Sequence, residues 1–475
     1  MNKAHWSRSR NISERLIISG TLVFNTPVAF GSNDDDGLVD NKVELDPLEG
    51  KALLTGSTIA GALRNYLREF ENGYFNKGIV SDLSSKIFGT DKGDGGTEQS
   101  WLLTNDSIGP RPQLEIRDGV KINDKTRTAE DKKKFDFEMM EAGVKFDLEF
   151  EVLLPTNPEL KKEILQGISI CLTGLEKGEI MFGSRKNRGF GRCSMKGKWK
   201  LHRYDLSHKE GLIAWLQKDI SSPSEDKFIA NLLKSQETIV DKREYFLIDS
   251  IFKLDGSLLI RSDPVEPDSP DTVHLHSKRN NKFEPILSGT SLAGVLRARG
   301  LKIAKKMDTT GNAESIINDM FGSDNTDDRS ISSSASKLIV HENVIENPLH
   351  LVQNRIKIDR FTGSSFPTAL FNEQPIFDKN DTKVKIELIL KSPKEKHIGL
   401  LLLLLKDLWT SDIAIGGETS VGRGRLVGDH ASLIHGTSSD RYEWEFSQAG
   451  MDLNVVGDRD KLEGYIASFL QGVSA

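Results

Sequence analysis

Cysteine is almost absent. Cys171 and Cys193 are the only two among 475 residues, and their spacing neither holds zinc nor builds a disulfide framework. A reducing intracellular setting is the simplest expectation. A basic excess is missing as well. The 64 Lys and Arg stand against 70 Asp and Glu, a formal net charge of -6, which excludes a protein that holds nucleic acid by bulk basicity. Any polyanion site must be local. Long apolar runs are also lacking: Ile398 to Leu405, the most apolar stretch, falls well short of the ~20 residues that span a bilayer. Met1 to Arg15 is polar and basic with no apolar core behind it. These absences predict a soluble cytoplasmic protein without a membrane partner. With ~150 residues per domain as a prior, the length leaves room for two or three cores.

What is present is a repeat. Leu53 to Arg64 reads LLTGSTIAGALR and Ile286 to Arg297 reads ILSGTSLAGVLR, so Gly56 pairs with Gly289 at an offset of 289 − 56 = 233. Phe182 to Arg192 (FGSRKNRGFGR) and Ile415 to Arg425 (IGGETSVGRGR) keep that offset and pair Gly183, Gly189 and Gly191 with Gly416, Gly422 and Gly424. Between them, Asn157-Pro158 opens a 3.6-period apolar run (Leu160, Ile164, Ile168, Leu172), and Ser392-Pro393 opens another (Ile398, Leu402, Leu405). A capping residue followed by Pro predicts a helix start at both places. Leu16 to Phe24, Phe246 to Leu254, Val144 to Leu154 and Lys383 to Leu390 have the composition or alternation of strands.

Each half thus reads strand, long loop, helix, strands, helix, Gly loop, strand. That order predicts an α+β sandwich, helices on one face of an antiparallel sheet, as in ferredoxin-like and RNA-recognition folds. The expected units are a first module over 1–205, a linker over 206–242 with a short helix near Phe228 to Leu233, a second module over 243–447, and a tail over 448–475 whose Lys461 to Leu470 is amphipathic.

The Gly motifs carry the chemistry. Ser57-Thr58 and Thr290-Ser291 follow Gly56 and Gly289 and precede apolar helical stripes. Hydroxyls there cap a helix, and a helix start with free N–H groups also seats phosphate, with Arg64 and Arg297 two turns further on. A plain N-cap explains the motif equally well. The GxxxxG spacing of Gly56/Gly61 and Gly289/Gly294 imitates a P-loop, yet Ala62-Leu63 and Val295-Leu296 stand where NTP chemistry needs Lys and Ser/Thr, so an NTPase is excluded. The second motif brings Arg185, Lys186, Arg188 and Arg192 in the first half, and Arg423 and Arg425 in the second. Glycines admit close approach and arginines bind phosphate bidentately, which makes a polyanion cradle; a flexible hairpin with solvated charge is the bland alternative. Glu418 dilutes the charge of the second copy.

A Gly-[ST]-[ST]-hydrophobic-x-Gly-x-Leu-Arg helix start with a downstream GxxxxxGxGR loop resembles the RAMP superfamily of CRISPR-associated proteins. The resemblance runs twice through nearly all of 15–430 and is nearest to the backbone subunits of type III effector complexes. It implies a modified ferredoxin-like palm that holds guide RNA and a β-hairpin thumb that wedges between nucleotides. It puts the thumbs in Leu114 to Gly143 (VKINDKTRTA) and Leu351 to Asp378 (IKIDRFTGSS), with Lys121, Lys125 and Arg127 roughly matching Lys357 and Arg360 as RNA contacts. It also implies cleavage of a paired target RNA by an Asp in the loop after the first strand. At an offset of 252 − 22 = 230, Ser32-Asn33 falls opposite Ser262-Asp263, so Asp263 takes the catalytic position while Asn33 fills it in the first half, with Asp34 next in line. Such a carboxylate could bind Mg²⁺ or another divalent cation, or orient a ribose 2′-hydroxyl, giving metal-dependent endoribonuclease chemistry. His274 and His276, read as exposed loop residues, could assist proton transfer. The implied partners are guide RNA, single-stranded target RNA and other subunits of the effector complex. Three alternatives stay open: a non-catalytic guide-RNA scaffold of the same superfamily, a guide-processing ribonuclease, and a structural interaction protein with a duplicated ferredoxin-like fold.

Overall fold

Alternation of apolar residues builds both sheets. In the first strand, β1 (Ile12–Phe24), Leu16, Ile18, Leu22 and Phe24 are fully buried at every second position apart from Gly20. The first half continues through α1 (Gly56–Asn72), β2 (Leu102–Thr104), a hairpin of β3 (Leu114–Ile122) and β4 (Ala129–Met140), β5 (Lys145–Pro155), α2 (Pro158–Glu176), β6 (Cys193–Asp205) and α3 (Asp226–Lys234). The second half runs β7 (Tyr245–Asp255), α4 (Gly289–Met307), β8 (Leu338–Val340), a hairpin of β9 (Gln353–Ile358) and β10 (Ser365–Gln374), β11 (Lys383–Lys391), α5 (Glu395–Trp409), β12 (Arg425–Gly436), β13 (Arg441–Ala449), β14 (Asp452–Val456) and α6 (Arg459–Ser474). The computed structural model describes residues 10–31, 41–76, 82–89, 99–123, 126, 128–218, 225–235, 239–264, 269–279, 281–309, 311–323 and 334–474.

Among the described residues a four-strand sheet is duplicated in three dimensions. The first sheet has the order β2-β5-β1-β6 and the second β8-β11-β7-β12, with all neighbours antiparallel. Ile18 stands opposite Phe150 and Leu201, and Ile248 opposite Leu388 and Leu433. On the outer strand Thr104 faces Phe150 as Val340 faces Leu388. Helices cover the sheets and close two separate hydrophobic cores, so the α+β expectation holds for both repeats.

Two local expectations meet different outcomes. Asn157 caps α2 by accepting the N–H groups of Glu159 and Leu160 at 2.9 and 3.2 Å. The second helix, by contrast, begins at Glu395 rather than beside Pro393: Ser392 holds a left-handed φ of 46°, and Lys394 is the extended residue before the first turn. Within 206–242, α3 buries Ile229 and Leu232 in the first core. After β12 the sheet continues into β13 and β14, and α6 lies so close on α5 that a Cβ on Gly399 would clash with the Tyr465 carbonyl. Among the described residues no helix is long and apolar enough to cross a membrane.

Candidate functional site

Both helix starts are built into backbone. Gly56 and Gly289 are the first residues of α1 and α4, and a Cβ on either would strike the Thr104 or Val340 carbonyl. The cap lies one residue earlier than the hydroxyl pair suggests: Thr55 accepts the Thr58 N–H at 3.3 Å, while the Ser288 hydroxyl makes no cap bond to the helix and meets that of Thr290 at 2.8 Å. The Gly56 N–H already donates to Asp106 at 2.7 Å. Arg64 and Arg297 perform one task twice, donating to the carbonyls of Gly89 and Gly322 at 2.8 and 2.7 Å; Arg297 also donates to Asn318. They tie each first helix to the end of the short helix after it. Ser57 is exposed, and Thr58, Thr290 and Ser291 are half-buried.

The two Gly loops share a backbone and differ in chemistry. Arg185 and Glu418 sit at left-handed φ of 54° and 59°, and Gly189 and Gly422 at 89° and 90°. In the first half Arg185 lies over the Phe137 ring at 4.1 Å and the Phe135 ring at 4.8 Å, and Phe137 meets Phe190 edge-on. In the second half Arg423 and Glu373 hold the places of Phe190 and Phe137 and form a buried ion pair, while Arg355 bridges Glu373 and Glu418. Arg423 is 3 % exposed; its guanidinium anchors the second hairpin. Arg425 is exposed.

Cations from both halves meet at the first loop. Burial pushes the Arg188 guanidinium below its usual range, and nearby Arg297 and Arg185 push the same way. Burial also lowers Arg185. Lys186 is exposed and, with Thr58, Gly61, Asn65, Asn187 and Lys391, lines a cavity of about 370 Å³ between α1 and the loop. Burial lowers Lys391, against the opposing charge of Glu69. This cavity joins two motifs more than a hundred residues apart in sequence. Arg192 turns away to pair with Glu387 of β11 at 3.4 Å.

The hairpins fall in the segments Leu114 to Gly143 and Leu351 to Asp378. Each bares an apolar face: Ile116, Val120 and Ile122 in the first, Ile356, Ile358 and Leu370 in the second. Phe361 is fully exposed at the second turn, beside exposed Arg360, and Lys357 lies 4.6 Å over Phe366. Lys121 is exposed, with its ammonium 3.5 Å from Glu130. Lys125, Arg127 and Asp34 lie outside the described residues.

Asp263 is exposed just after the strand pair Arg261/His274 and Ser262/Val273, and its charge acts on Lys134 of the first hairpin. The reading of His274 as an exposed loop residue does not hold. It is fully buried, its Nδ1 accepting the Ile260 N–H at 3.2 Å and its Nε2 donating to the Ile286 carbonyl at 3.1 Å, and burial lowers its pKa to about 3. A neutral, doubly bonded imidazole is a structural brace. His276 lies against His350, ring centroids 5.2 Å apart and planes tilted by 33°. Among the described residues no three His, Cys, Asp or Glu side chains gather as a metal-binding group.

Sequence reasoning missed the ionic knot between the halves. Glu342 accepts from Arg117 of β3 at 3.2 and 3.3 Å and also pairs with Arg279, while Glu115 bonds Arg117 and Ser277. The signal was a face: Glu115, Arg117 and Gly119 alternate with the exposed apolar residues of β3.

A model of the RAMP superfamily matches residues 21–194 and 252–427, one match in each half. The chain belongs to the RAMP superfamily. Each matched stretch carries both Gly motifs and the hairpin of its half, and RAMP membership points to a CRISPR-associated, RNA-binding role. No curated protein matches the chain.

Proposed function

We propose that this RAMP protein is a guide-RNA-binding backbone subunit of a type III CRISPR effector complex that pairs with target RNA and cuts it. The observation that carries the RNA part is the meeting of Arg185, Arg188 and Arg297 from two halves beside Lys186 and an open cavity. Like charges gathered and partly desolvated repel one another, and a bound polyanion relieves that cost. The acidic total charge is compatible, because RNA needs only one positive groove. The strand order and antiparallel pairing support a modified ferredoxin-like palm in each of the units 1–205 and 243–447, and the hairpins β3–β4 and β9–β10 support thumbs that meet RNA through Lys121, Lys125, Arg127, Lys357 and Arg360.

Cleavage is assigned to Asp263, and to Asp34 in the first half. The carboxylate takes the proton of a ribose 2′-hydroxyl as that oxygen attacks the adjacent phosphorus, and the 5′-oxygen leaves. The described residues near Asp263 do not by themselves make a metal site, so dependence on Mg²⁺ is proposed on the acid chemistry and left to chelation to test. The setting is cytoplasmic, among other subunits of the complex.

The test is purification of the complex from its host, sequencing of bound RNA, and incubation with a matched target with and without EDTA. Guide RNA with cuts that vanish in Asp263→Ala establishes a nuclease subunit. Guide RNA with unchanged cuts leaves a scaffold, and RNA affinity that ignores salt would favour a purely structural protein.

A further inference from the structure

Two imidazoles stand together at the root of the second hairpin. His276 opens the strand His276–Arg279, which pairs with Lys282–Leu287. His350 lies in the short strand pair Leu349/Phe377 and His350/Ile376, just before β9. The two strands belong to separate sheets, and the ring centroids are 5.2 Å apart.

The hydrogen bonds decide which nitrogens are free. Nδ1 of His276 lies 2.7 Å from the His274 carbonyl. A carbonyl only accepts, so Nδ1 carries the proton and, in the neutral ring, Nε2 keeps its lone pair. A backbone carbonyl behind one ring nitrogen is the arrangement that fixes the tautomer of a metal-bound His. His274 differs, because both of its nitrogens are spent on protein groups. Among the described residues, neither nitrogen of His350 nor Nε2 of His276 has a hydrogen-bond partner in the protein. Nor does either ring have a carboxylate partner, as His208, His341, His397 and His430 do. His350 is exposed and His276 half-buried, so solutes reach the pair.

Two imidazoles bonded at about 2.0–2.1 Å to one tetrahedral ion hold their ring centroids roughly 5 Å apart. The pair already stands at that separation. We infer that His276 and His350 form a binding site for a borderline-soft divalent cation, Zn²⁺ in the first place, with water in the remaining positions. Imidazole nitrogen favours Zn²⁺ over Mg²⁺ and Ca²⁺, which take oxygen ligands. Among the described residues no third His, Cys, Asp or Glu completes the set, so the ion is exchangeable and the site is unlike a closed structural zinc. Its physical effect is a staple, tying the root of the hairpin β9–β10 to the strand that follows the His274 brace. The inference rests on the two rings and is independent of the RNA reading.

The experiment is calorimetric titration of Zn²⁺ alone into the EDTA-stripped full chain without RNA, with thermal melts of the same samples. Wild type is expected to bind one ion per chain and to melt at a higher temperature as Zn²⁺ is added. His350→Phe keeps a ring beside His276 but offers no nitrogen. It is expected to weaken Zn²⁺ binding at least about tenfold, with a melting temperature in EDTA close to that of wild type. His276→Phe should weaken binding alike. His350→Cys places a thiolate ligand at the same position and is expected to retain the binding, which loss of ring packing alone would not allow. A wild-type chain that takes up no Zn²⁺, or Zn²⁺ binding that both Phe variants leave unchanged, overturns the proposal. So does a His350→Cys chain that binds Zn²⁺ as poorly as His350→Phe.

Discussion

Glu342 of the second half is wholly enclosed and balances Arg117 of the first-half hairpin, 3.2 Å away, together with Arg279 of its own half. The charge that makes this contact specific also makes it vulnerable, because removing one partner of a buried ionic group strands the others. Glu342→Gln should destabilise the chain by about 3 to 5 kcal/mol. Arg279→Met should do less, since Arg117 keeps both Glu115 and Glu342. Urea unfolding of both variants checks the order, and equal losses would contradict it.

The two equivalent glycines Gly189 and Gly422 separate steric from conformational cost. Both have φ near 90°, where any L side chain is strained. Only Gly189 is pressed against another backbone, that of Glu342. Both Ala variants should be destabilised, by about 1 to 3 kcal/mol from backbone strain, and Gly189→Ala by clearly more. Thermal melts that fall together would show the packing of this loop to be loose.

Acid should unfold the chain from near neutrality. Burial takes His274 and His341 to about 3 and His397 to about 4, whereas an unfolded imidazole takes its proton at about 6.5. Between those values the unfolded chain binds more protons, so stability falls as pH drops through that window. Asp319 acts in the same sense lower down. Burial raises its carboxyl, but Lys337 and Lys394 prevail and hold it at about 2, so its contribution is present above the unfolded value and lost as pH falls through about 2. His274→Gln should flatten the stability curve between pH 6.5 and 4, by up to about 1.4 kcal/mol per pH unit. Denaturation midpoints at pH 7 and 5 measure it; an unchanged slope would leave His274 without this role.

Arg188→Ala should weaken binding of single-stranded RNA for every sequence tested and lower the slope of log affinity against log salt by about one contact. Arg64→Ala removes a bond to the Gly89 carbonyl and should act on melting temperature more than on RNA. If Arg64→Ala lowers the salt slope as Arg188→Ala does, the division between phosphate contact and brace drawn from these bonds is wrong.

Much of this was legible in sequence. The common register of the Gly motifs carried through to matched strands, and Asn157-Pro158 starts a helix because local capping chemistry decides it there. Ser392-Pro393 does not, because the Ser392 N–H is drawn to the Glu244 carbonyl at 2.8 Å, a partner far away in sequence. The same limit applies to the site. Arg64, Arg297 and Arg423 look like phosphate ligands in a motif, yet each is bonded to protein groups that only the fold brings near. The Glu342 knot joins residues 225 positions apart, which no periodicity can announce.

The exchange of Phe137 and Phe190 for Glu373 and Arg423 has a consequence for descent. Once one copy chose rings and the other charges at the root of its hairpin, the halves ceased to be spare parts. A chain rebuilt from two first halves would carry Asp106, two residues past Thr104, where Glu342 now meets Arg117, and one rebuilt from two second halves would offer Glu342 Gln353, which pairs with Glu373 as Arg117 pairs with Phe137. Duplication produced two like modules; divergence at these few positions has given the molecule a direction, with a first half that must come first.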